Sequence, residues 1–190
     1  MEFDFQSDSQ ASAASRVTAA IWIALIAILS VGGSFAFACA APLAAIAALA
    51  AARMDGRTGL GLVVAAWLTN QIVGYGFLGY PHTFESYTWG AAIGVATIAA
   101  FAMARLTRAF AHSWPAVLGV SFLVAFASYE LALFAAGIAL GSSEYAFSAA
   151  VVARVFQVNA VSFVGLVAVS AIWSYFARLP MLTRQTSRAA

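Results

Sequence analysis

An all-α integral membrane protein, a six-helix transmembrane bundle with both termini in the cytoplasm, is the fold class the sequence predicts. Composition is the first reason. Of 190 residues, 64% are hydrophobic and 8% charged, whereas soluble domains carry about 25% charged residues. So little polar surface suits a bilayer, where about 20 apolar residues make one crossing. Segmentation is the second reason. Six apolar stretches are separable, leaving no room for another domain. The third is the placement of basic residues. All nine are arginine, and most flank apolar stretches, which is a topology signal rather than a nucleic-acid patch despite a pI near 9.0.

The elements follow in order. Residues 1–15 are polar and acidic and lack the basic start and cleavage site of a signal peptide. They are expected to form a flexible cytoplasmic tail, with the first apolar segment retained. Span one covers residues 17–31. Gly32, Gly33 and Ser34 then break the run, and Pro42 suits the first turn of a helix. Residues 32–41 therefore read as an ordered loop at the membrane face, followed by a short helix from Pro42 to Ala52. The alternative is a longer second helix from near Ser34. Span three is 58–78, span four 87–106, span five 115–140 and span six 147–176. Pro115 again marks a helix start. The spanning domain is residues 16–178, and residues 179–190 form a cytoplasmic tail.

Orientation comes from the arginines. Arg16 precedes span one, Arg53 and Arg57 separate spans two and three, and Arg105 and Arg108 follow span four. Arg178, Arg184 and Arg188 follow span six. The remaining three loops hold Glu85 and Glu144 but no basic residue. Six crossings put every basic cluster on one face, which the positive-inside rule makes the cytoplasm of a bacterial inner membrane.

Polar groups within apolar spans are costly and mark candidate sites. They are Asn70 and Gln71 in span three, Glu130 in span five, and Arg154, Gln157 and Asn159 in span six. At about 1.5 Å per residue from the outer ends, Asn70 and Arg154 lie about 12 Å deep, Glu130 about 15 Å and Gln157 about 16 Å. Groups on three helices thus share one level in the outer half of the membrane. Glu130 and Arg154 are the natural ion pair, either a bridge between spans five and six or part of a binding site. The amides serve equally as ligand donors or as glue between helices.

Above that level the stretch from Gly74 to Trp89 reads as an outer loop rich in aromatics and glycine. Tyr80, Tyr87 and Trp89 fit an interfacial aromatic belt. The glycines allow close backbone approach, and Tyr75, His82 and Trp89 join the candidate substrate contacts. His82 is a bystander, a hydrogen-bond partner or a metal ligand. The loops around Gly32 and Gly141 face the same side and complete a lid. Cys39, the lone cysteine, excludes an internal disulfide and reads as packing.

Several classes are excluded or disfavoured. There is no Walker motif, zinc-ligand spacing, dinucleotide fingerprint or HExxH, and no cofactor is called for. His82 and His112 fall on opposite faces, which defeats bis-histidine haem ligation and a catalytic triad. An enzyme is not expected.

Span one carries an AxxxA pattern at Ala20 and Ala24, and small residues four apart let helices approach closely. With the Pro42 helix, the segment from Ala66 through Asn70 to Pro81 and the overall layout, the chain resembles the substrate-binding S-components of energy-coupling factor transporters and their solitary relatives. The resemblance covers about half the chain. It implies high-affinity capture of a small vitamin-like solute from the periplasmic side, with a transmembrane coupling protein and its ATPases as partners. Ala20 and Ala24 would be the docking face. A corrinoid ligand would give His82 the role of cobalt ligand, although the cysteine found at such sites is missing. The alternative function is a non-transporting accessory or assembly subunit of a membrane complex.

Overall fold

The computed structural model describes residues 41–110, 113–141 and 147–186, and every regular element among them is helical. Five α-helices follow in order: α1 (Leu43–Arg53), α2 (Gly56–Gly76), α3 (Phe84–Thr107), α4 (Trp114–Leu140) and α5 (Ala149–Thr186), with a 3-10 turn at Arg108–Phe110 after α3. Three of them are long and apolar enough to cross a membrane: α3, α4 and the Ala149–Tyr175 part of α5. The described part of the protein is therefore all-helical and suited to a bilayer. Span one, with Arg16, Ala20, Ala24 and Cys39, lies outside the described residues, as do His112 and Glu144.

Local signals explain the helix boundaries. Asp55 caps α2 by accepting from the N–H groups of Arg57 and Thr58, and Thr83 caps α3 through Ser86 N–H. Pro115 occupies the first turn of α4, where a missing N–H costs nothing. Gly141 ends α4 at φ 67°, the left-handed conformation glycine adopts without a Cβ clash. Past Phe176, where the last span was expected to end, the α5 backbone stays helical to Thr186.

α1 starts at Leu43 behind Pro42, as the shorter of the two sequence readings requires. Its 11 residues measure about 16 Å, roughly half the hydrocarbon thickness, so it is too short to be a span alone. Instead it is the core. Residues 43–52 are buried throughout, and α1 packs against α2, α3, α4 and α5, which are arranged around it. Alanine at seven of those positions lets the surrounding helices close in on its backbone.

A buried helix must satisfy its end groups. No side chain within the first turn caps α1. The Ala45 N–H instead donates to Asn159 Oδ1 of α5 at 3.0 Å, and Asn159 Nδ2 donates to the Val155 carbonyl. At the opposite end, Arg108 Nη1 donates to the Ala51 carbonyl at 3.1 Å and Arg105 Nη1 to the Met54 carbonyl at 2.9 Å. Cationic groups at a helix C-terminus also complement its dipole. Arg53 lies over the Trp114 ring, 5.1 Å from its centroid. Three arginines from two chain segments are thereby gathered at one end of the bundle.

Candidate functional site

Because α1 is half-length, it fills only the arginine end of the bundle. Beyond its first residue the space between the longer helices is occupied by a pocket of about 130 Å³. Ala41 and Leu43 line it from the α1 side, Asn70, Gln71 and Tyr75 from α2, Trp89, Gly90 and Ile93 from α3, and Tyr129 from α4.

Close helix approach shapes its walls. Trp67 Nε1 donates to the Gly90 carbonyl at 2.8 Å across the α2–α3 contact. A Cβ at Gly94 would sit 2.6 Å from the Trp67 ring, and one at Gly90 2.5 Å from Gln71 Oε1. The absence of side chains at these positions seats the two helices and fixes where Gln71 lies. Its Nε2 is buried without a hydrogen-bond acceptor.

An aromatic cluster closes the same end. Tyr75 is its hub, with ring centroids 5.7 Å from Tyr80, 5.5 Å from His82 and 4.9 Å from Tyr87. The Tyr75 hydroxyl pairs with Ser86 at 3.0 Å, and His82 Nδ1 with the Tyr87 hydroxyl at 2.7 Å. The expected long loop is mostly helical: Gly74–Gly76 completes α2, and α3 begins at Phe84. A seven-residue turn, 77–83, joins them, with Gly79 at φ 69°.

Four of the residues expected at the site therefore meet: Asn70, Gln71, Tyr75 and Trp89. His82 backs this group by leaning on Tyr75 and does not line the pocket. Glu130, Arg154 and Gln157 do not join it. Among the described residues no ion pair links Glu130 to Arg154. Arg154 and Gln157 are exposed on α5. The α4–α5 contact is made by phenylalanines instead, with Phe122 stacked 4.8 Å from Phe163 and Phe126 edge-on 5.0 Å from Phe156. The physical reason is rotational. Depth along a helix sets a level but not a direction, and one residue turns the side chain by about 100°.

Two polar residues of α5 do face inward, Ser170 and the fully buried Asn159; Ser170 bonds within its own helix, and Asn159 reaches α1. It stabilises α1 rather than lining the pocket. Sequence reasoning missed Tyr129, beside Glu130, which is 6% exposed and lines the pocket from α4. One tyrosine in a chain that is 14% aromatic gives no local signal.

Comparison with family models, curated proteins and solved structures gives no match. Among the described residues no group of three or more His, Cys, Asp or Glu is placed to hold a metal ion. Among the described residues His82 meets the rings of Tyr75 and Tyr87 and hydrogen-bonds the Tyr87 hydroxyl.

Proposed function

We propose that this chain is a six-crossing protein of the bacterial inner membrane, with both ends in the cytoplasm, that binds a small vitamin-like solute from the periplasmic side for uptake. The observation that carries the reading is the pocket itself: polar groups of α2 and α4 in an otherwise apolar bundle, beneath an aromatic turn and opposite the arginine end. Pockets of this composition, apolar walls with a few convergent polar groups, are the usual form of small-molecule sites. A discontinuous helix ending at such a site is a recurring device of membrane transporters.

The S-component resemblance supplies the partner: a transmembrane coupling protein with ATPases, docking on Ala20 and Ala24. The pocket's volume favours a one-ring solute over a corrinoid, which is many times larger. The test is equilibrium binding of a broad solute panel to the purified, detergent-solubilised protein. Saturable binding that weakens at least tenfold in Asn70→Leu supports the reading. No binding across the panel removes it.

One observation favours a second reading, an accessory subunit of a membrane complex. Arg154 and Gln157 are exposed within the spanning part of α5, where polar groups seek partners. Crosslinking from position 154 in native membranes separates the two. A stoichiometric product with a chain other than a coupling-factor component favours the accessory role.

A further inference from the structure

Resting on the reading of the pocket as a solute site, we infer the chemical class of the solute: an uncharged, single-ring molecule whose edge carries an amide or lactam group, its carbonyl oxygen directed toward the start of α1.

Size limits the ligand first. The pocket is about 130 Å³, and a cavity of about 150 Å³ accepts a benzene ring. One ring with a small polar substituent is what fits. Trp89 and Tyr75 supply aromatic surface on which a planar ring packs, and Leu43 and Ile93 supply aliphatic surface.

Charge limits it next. Among the described residues no Asp, Glu, Lys, Arg or His lines the pocket. Arg105 and Arg108 are bonded at the far end of α1. A cation entering this site would be stripped of water with no acidic side chain among the described residues to meet it, and a carboxylate would meet only the partial charge of the α1 N-terminus, so the site favours a neutral ligand over either.

The unsatisfied polar groups then define the edge. Asn70 is 8% exposed and Tyr129 6%, both line the pocket, and among the described residues neither side chain has a hydrogen-bond partner. Gln71 Nε2 is a buried donor without an acceptor. A carboxamide offers donor and acceptor side by side, and a phenol can act as either. Another amide edge is the group that satisfies this set, giving an acceptor to Gln71 Nε2 and both halves of a pair to Asn70. Direction comes from α1. Its N-terminus, which carries a partial positive charge, begins at Leu43 on the pocket wall, so the ligand's carbonyl oxygen is favoured on that side.

Four probes of nearly equal size isolate each element of the argument: benzamide, benzoate, benzamidinium and toluene, titrated calorimetrically at pH 7 into the full-length protein in detergent. Benzamide is expected to bind at least tenfold more tightly than each of the others. Asn70→Leu and Tyr129→Phe should each weaken benzamide about tenfold, the loss of one or two hydrogen bonds, and leave toluene unchanged. Tighter or equal binding of benzoate or benzamidinium overturns the neutrality of the ligand. Equal binding of toluene overturns the amide edge, and binding of none of the four overturns the inference as a whole. The pocket's role in solute binding falls separately, only if the wild-type protein also binds nothing in the broad panel.

Discussion

Asn159 and Arg154 lie five residues apart on α5 and have opposite fates. The asparagine holds the first turn of α1 through Ala45 N–H, while the arginine faces outward. Asn159→Ala leaves a buried N–H without its acceptor, a loss of about 1–3 kcal/mol. Arg154→Ala removes no contact seen among the described residues and should shift stability by less than about 0.5 kcal/mol. Thermal unfolding of both variants in the same detergent checks the contrast. An equal or larger loss for Arg154→Ala would restore the ion pair with Glu130. Asp55 gives a prediction in pH. Hydrogen bonding with Thr58, and with the N–H groups of Thr58 and Arg57, holds its carboxyl below the usual carboxylate range. Its folded value is the depressed one. The cap therefore contributes fully above the unfolded value and is lost as pH falls through the folded one. An acid titration of stability should show this loss in the native protein and not in Asp55→Asn, in which a neutral amide takes the cap position.

At the scale of elements, the α2–α3 contact offers two glycines that answer the same substitution differently. In Gly94→Ala the new methyl meets the Trp67 ring, which is itself tied to Gly90. The rigid indole must shift, at about 1–3 kcal/mol. In Gly90→Ala the methyl meets the far end of Gln71, which can swing aside. That variant should keep nearly native stability and lose solute binding, as the displaced amide enters the pocket. Measuring unfolding and binding on both variants separates packing from site geometry. The ends of α4 were legible because their signals are local, Pro115 at its start and Gly141 after its last residue, whereas the spans placed from Thr58 and Tyr87 missed the capping side chains Asp55 and Thr83, which start α2 at Gly56 and α3 at Phe84. The aromatic stretch was not legible, because Gly74–Gly76 and Phe84–Trp89 resemble loop in composition while helical hydrogen bonding across their neighbours decides the outcome. Half the site was legible for a related reason. Asn70 and Gln71 stand out as amides in an apolar run, but the direction of a side chain around its helix depends on which neighbour the helix packs against. Arg154 and Gln157 turn away, and Tyr129 turns in, for that reason.

For the whole molecule, one short helix organises the rest. α1 is gripped at its C-terminal end by Arg105 and Arg108 and at its N-terminal end by Asn159, and the core beyond it becomes the pocket. The arginine end and the aromatic end are thus opposite poles, which the proposed orientation assigns to cytoplasm and periplasm. In a Cys39→Ser background, a cysteine replacing His82 should react with a membrane-impermeant thiol reagent in intact cells, and one replacing Arg57 only after the membrane is opened. The reverse pattern would invert the orientation. The pocket is the claim on which function depends, and filling it is the most direct test. Ile93→Trp places a larger side chain at the pocket wall without touching the caps of α1. Solute binding to the purified protein should vanish in this variant while its unfolding temperature stays within a few degrees of the wild type. Undiminished binding in a variant whose pocket is filled would show that the solute sits elsewhere.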